Sequence, residues 1–121
     1  MSRGEPRPSV VASYNMSATA YGNHTMNGGS GDGKISVGGA PVEGRTLAVD
    51  PSVIPLGSRV LVMCASRPEV NGVYIAEDVG GDITGGRVDI YFDDMSVDPY
   101  QAHKRMMSFG VRDVTVHVLG K

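Results

Sequence analysis

Ala76-Glu77-Asp78-Val79-Gly80-Gly81-Asp82-Ile83-Thr84-Gly85-Gly86-Arg87-Val88-Asp89-Ile90-Tyr91-Phe92 decides the fold. Residues 73–77 before its glycines and residues 87–92 after them are rich in β-branched and aromatic side chains, and both predict short strands. Gly80-Gly81 and Gly85-Gly86 interrupt any regular structure between them. Two aspartates, Asp78 and Asp89, stand in or beside the apolar runs, although aspartate is a poor strand former. The segment therefore predicts a strand pair whose carboxylates have a reason to be there.

Further strands are predicted on both sides. Residues 14–21 alternate Tyr14, Met16, Ala18 and Ala20 against Asn15, Ser17, Thr19 and Tyr21, a period of two that suits a half-buried strand. Residues 46–49 and 59–64 predict two more, joined by a tight turn over 53–57. Residues 111–119 close the chain, with Val114, Val116 and Val118 on one face. One short helix is predicted in the C-terminal half, with Asp98 as its cap, Pro99 at its first position, an interior over 100–108 and Gly110 beyond its end. Glycine makes up 17 of 121 residues, about twice the usual share of roughly 7%. Six short strands with many tight turns make an all-β protein, and a small closed barrel leaves no strand edge exposed. The domain is expected over residues 13–121, with 1–12 as a linker tail.

Charge and composition exclude several function classes. A net charge of −2 offers no footprint for nucleic acid. No apolar run approaches the roughly 18 residues of a membrane helix. The single cysteine, Cys64, excludes an intramolecular disulfide and a Cys-rich zinc site, and its apolar strand makes it a small buried hydrophobe. His24, His103 and His117 show no metal-ligand spacing, with His117 pointing to solvent, and Asp93, Asp94 and Asp98 lack the order of a calcium loop. Gly28 to Lys34 nearly spells a phosphate loop, but Ile35 replaces its hydroxyl residue and no helix follows. No metal or cofactor is expected. The polar start, residues 1–8, has no apolar stretch behind it, so either the protein is cytosolic or this chain is an excised domain whose export signal lies outside it.

Asp50, Asp78 and Asp89 all lie in apolar surroundings. A carboxyl partly withdrawn from water near other carboxyls has its pKa raised, the condition for a general acid at neutral pH. The plainer alternative makes Asp50 and Asp78 turn caps and pairs Asp89 with Arg87 or Arg59.

The segment quoted above, together with Ala48-Val49-Asp50-Pro51-Ser52-Val53-Ile54-Pro55-Leu56-Gly57-Ser58, resembles the two signatures of the 3D (three-aspartate) domain. The likeness covers residues 16–119, and the three naming aspartates fall on Asp50, Asp78 and Asp89. It implies a six-stranded double-psi β-barrel of secreted or wall-associated bacterial proteins, including stationary-phase muralytic proteins. The catalytic barrel of membrane-bound lytic transglycosylase A is similar, with a second aspartate eleven residues after the first, as Asp89 follows Asp78. The resemblance implies lytic cleavage of peptidoglycan glycan strands, with Asp89 as acid/base and Asp78 and Asp50 in support. Gly80 and Gly81 would let a sugar approach closely; Tyr21, Lys34, Ser36 and Thr84 would line the groove. Val79, Asp82 and Thr84 depart from the usual pattern, and the charge of Asp82 with the lysine missing at Thr84 would make that groove more acidic. Two other functions suit the same barrel: a non-catalytic wall-glycan-binding module, and an inverting glycosidase that uses two aspartates. The expected location is extracellular or wall-associated.

Overall fold

The computed structural model describes residues 9–22, 41–80, 83–92 and 98–120. Six strands appear in chain order: β1 (Val10–Tyr21), β2 (Thr46–Ala48), β3 (Arg59–Met63), β4 (Gly72–Asp78), β5 (Arg87–Tyr91) and β6 (Arg112–Leu119). They close into a barrel in the order β1-β5-β2-β4-β3-β6. β1 runs parallel to β5 and β2 parallel to β4, while the other four neighbours pair antiparallel. This mixed six-stranded closure is the double-psi barrel that the family resemblance implies, and closure leaves every strand paired on both sides.

Alternation fills the interior. Met16 and Ala18 of β1, Val60 and Val62 of β3, Val88 and Ile90 of β5, and Val114, Val116 and Val118 of β6 are buried together. A barrel of so few strands has room only for side chains, and valine and alanine match that narrow interior. Cys64 is fully buried among them and His117 is partly exposed on the outer face. β1 begins at Val10, earlier than the alternation from Tyr14 suggests, because β6 is long enough to pair with it from Val10 onward through a bulge.

A helix, α1 (Pro99–Met107), joins β5 to β6. The Gln101 N–H donates to the Asp98 side chain at 3.0 Å, as expected of a cap, and Gly110 takes φ +67° beyond the helix end. Phe109 anchors that end in the core against Phe92, with the guanidinium groups of Arg67 and Arg112 over its ring. Asp93 and Asp94 lie outside the described residues. Among the described residues no group of three or more His, Cys, Asp or Glu is placed to hold a metal ion, and no helix is long and apolar enough to cross a membrane.

Candidate active site

One register line crosses four strands and assembles the site. Thr19 of β1 pairs with Asp89 of β5, Asp89 with Ala48 of β2, and Ala48 with Asp78 of β4. Residues directly opposite each other in a ladder share a face. Thr19 and Asp89 face outward because their chain neighbours, Ala18, Val88 and Ile90, are committed to the core.

Asp78 joins this face through an irregularity. Strict alternation after the buried Ala76 would send Asp78 into the core. The β2–β4 register instead shifts between Leu47 and Ala48, so that Glu77 is an extra residue in β4. Such a bulge re-aims the next side chain, here Asp78. Glu77 is itself secured: the Thr46 hydroxyl donates to its Oε2 at 2.6 Å and Arg45 Nε at 3.0 Å. The Val42 N–H in turn donates to the Thr46 hydroxyl oxygen at 2.8 Å, which ties the loop before β2 into the same network.

Hydrogen bonds then fix the row. The Thr19 hydroxyl donates to Asp89 Oδ1 at 2.9 Å, and Arg87 Nη2 reaches the Thr19 oxygen at 3.5 Å. The Tyr21 hydroxyl donates to Asp78 Oδ2 at 2.9 Å, and the Val79 N–H to Asp78 Oδ1 at 2.9 Å. The Tyr21 ring meets Tyr91 edge to face, with centroids 5.5 Å apart. Burial raises the Asp89 pKa to about 6; the negative charge of Asp78 adds to that, while the Thr19 hydrogen bond and the Arg87 charge oppose it. Burial also drives the Tyr21 hydroxyl far above its ordinary range, with Asp78 adding to the effect, so Tyr21 stays protonated and donates.

Asp50 does a different job. The Ser52 hydroxyl and Ser52 N–H donate to its Oδ1 at 2.6 and 2.9 Å, and the Gly85 N–H donates to its Oδ2 at 2.8 Å. The bonds from Ser52 and Gly85 hold this carboxyl below its ordinary value. Asp50 thus clamps the loop after β2 to the loop between β4 and β5. The influences that set Asp89 are its burial, Thr19, Arg87 and Asp78. Gly85 takes φ +59°, a backbone that L side chains rarely adopt, and this turns its N–H toward Asp50.

The remaining sequence candidates divide. Tyr21 belongs to the cluster, Gly80 lies in the loop just after Asp78, and Thr84 is exposed on that loop. Lys34, Ser36 and Gly81 lie outside the described residues. Arg59 pairs with Ile75 and Leu119, away from the row. Sequence reasoning missed Thr19 as the partner of Asp89; its place on the polar side of the β1 alternation, two residues from Tyr21, was the available signal.

The site is thus a row of two aspartates on one outer face of a small closed barrel. The 3D domain family matches residues 45–119, and the chain belongs to that family. The cell wall-binding protein YocH of Bacillus subtilis is 35% identical over 107 residues, covering 86% of this chain and 31% of YocH. The crystal structure of MltA from E. coli superposes with a TM-score of 0.58 and 26% identity, covering 73% of this chain and 27% of MltA. E. coli MltA with bound chitohexaose has the same fold, at 23% identity and a TM-score of 0.56. The chain spans under a third of the length of either relative.

Proposed function

We propose that this domain cleaves the β-1,4 bond between N-acetylmuramic acid and N-acetylglucosamine in peptidoglycan, in a bacterial wall or outside the cell, and leaves a 1,6-anhydro-muramyl end. The observation that carries the reading is Asp89, a carboxyl withdrawn from water whose pKa, about 6, lets it hold a proton near neutral pH. Its proton passes to the glycosidic oxygen as the C1–O bond breaks. The carboxylate then accepts the proton of the muramyl 6-hydroxyl while O6 bonds to C1, so one carboxyl serves as acid and then base. Asp78, held by Tyr21 and its own backbone, stays beside it as a second negative group that favours positive charge developing on the sugar ring. Asp50 positions the loop that links the two strands. The fold and sequence likeness to MltA, whose structure is described as that of a lytic transglycosylase, supports this reading.

The second reading is a glycan-binding module without turnover, favoured by the likeness to YocH, which is named a cell wall-binding protein. Digestion of purified peptidoglycan followed by mass spectrometry separates the two. Anhydro-muropeptides, lost in Asp89→Asn, are expected. Retention on the insoluble wall with no soluble product would overturn the catalytic reading, and reducing-end products would point to a hydrolase instead.

A further inference from the structure

We propose that Thr19 is a positioning residue that gives the two oxygens of Asp89 different tasks: Oδ1 is held as a hydrogen-bond acceptor, and Oδ2 carries, releases and takes back the proton. The inference rests on the catalytic reading above and deepens it. A threonine hydroxyl has one proton to give and lone pairs to receive with. Arg87 has only protons to give, and its Nη2 approaches the Thr19 oxygen. That contact is at the long limit of a hydrogen bond, but it turns the Thr19 proton toward Asp89 Oδ1, 2.9 Å away. A proton on Oδ1 would meet the Thr19 proton head-on. The proton of neutral Asp89 therefore sits on Oδ2.

The placement is rigid. Thr19 and Asp89 are register partners in a parallel ladder, and a β-branched side chain in a strand has few rotamers to choose from. Arg87 lies two residues before Asp89 on the same strand and face. Facing Asp89 from the surrounding strands are Thr19 and Tyr21 of β1, Arg87 of β5, the uncharged Ala48 of β2 and Asp78 of β4. With Oδ1 engaged, donation to the leaving oxygen and acceptance from the 6-hydroxyl use one oxygen. The Oδ2–H bond breaks as the leaving O–H forms, the C1–O pair departs with that oxygen, and the O6 proton restores Oδ2–H as O6 bonds to C1. No co-reactant is needed.

The test is an NMR titration of the Asp89 carboxyl carbon in the intact chain, with the Thr19 hydroxyl proton followed alongside. In the wild type that proton is expected to stay observable and coupled to Asp89 on both sides of pH 6. Thr19→Val and Arg87→Gln should each move the Asp89 titration to higher pH, because each removes an influence that favours the carboxylate; Thr19→Ser should restore it. A titration unmoved in a folded Thr19→Val, or a Thr19 proton lost to exchange once Asp89 is protonated, would overturn the proposal. In peptidoglycan digestion, Thr19→Val should lower kcat about 10- to 100-fold with KM little changed. Shifted titrations with no product from the wild type would uphold the oxygen assignment and overturn the catalytic reading.

Discussion

Asp78 and Asp89 stand opposite the same residue, Ala48, from the two sides of β2. Two ladder spacings put their backbones roughly 10 Å apart, and the side chains share one outer face. Burial outweighs their mutual repulsion in raising Asp89. The site therefore depends more on how Asp89 is withdrawn from water than on the crowding of carboxylates. That distinction leads to measurable consequences.

Replacing Asp89 by Asn should abolish anhydro-product formation, a loss of about 10²- to 10⁴-fold for a general acid/base, and should stabilise the protein at neutral pH. Folded Asp89 binds its proton up to about pH 6, whereas an ordinary carboxyl releases it near 3.8. Between those values the folded state holds the extra proton, so stability falls as pH rises through this window. The gain from Asp89→Asn, at most about 3 kcal/mol, is present above pH 6 and vanishes below pH 4. Urea unfolding of both proteins across this range reads it directly.

Catalysis should follow the protonated form. In the free enzyme kcat/KM is expected to fall about tenfold per pH unit above pH 6. Asp78→Asn removes a negative charge that raises Asp89, so this limb should move to lower pH, by less than about one unit because burial is the larger cause. A limb that moved upward would contradict the arrangement.

Asp50→Ala should release the Gly85 and Ser52 amides, seen as hydrogen exchange at least about tenfold faster at both. The lowered Asp50 pKa gives the same expectation by acidification: its contribution is present above the ordinary carboxyl value and is lost as pH falls through the lowered one. Asp89 should still titrate at about 6 in Asp50→Ala. A large change there would show that Asp50 does support Asp89.

Gly80→Ala tests the loop that starts at Asp78. An added Cβ would meet Ile83 Cγ1 at 2.9 Å, and Ile83 is buried. Overpacking of this kind should destabilise by about 1–2 kcal/mol. Adding Ile83→Ala should recover part of that loss beyond additivity, a positive coupling in a double-mutant cycle by thermal unfolding.

Much of the barrel could be read along the chain because alternation and capping are local. The valines of β6, the polar and apolar sides of β1 and the Asp98 cap follow from side-chain type and spacing alone. The oddity of Asp78 and Asp89 in apolar runs was equally visible. The direction of Asp78 was not. Alternation turns it inward, and the bulge at Glu77 that turns it outward comes from a register shift against β2, thirty residues earlier. Asp50 as a turn cap was one reading the sequence left open, and Ser52 fills that place; the bond from the Gly85 N–H, 35 residues on, was not legible.

The sequence by itself determined that this is a glycine-rich barrel of short strands with three aspartates at unusual places. Tertiary structure alone decided which aspartate is withdrawn from water and which is tied into a turn. The Thr19–Asp89 bond joins residues 70 apart, and it exists only because β1 lies parallel to β5. A pKa depends on what surrounds a group in space, and parallel pairing gives Asp89 neighbours that the order of residues does not contain.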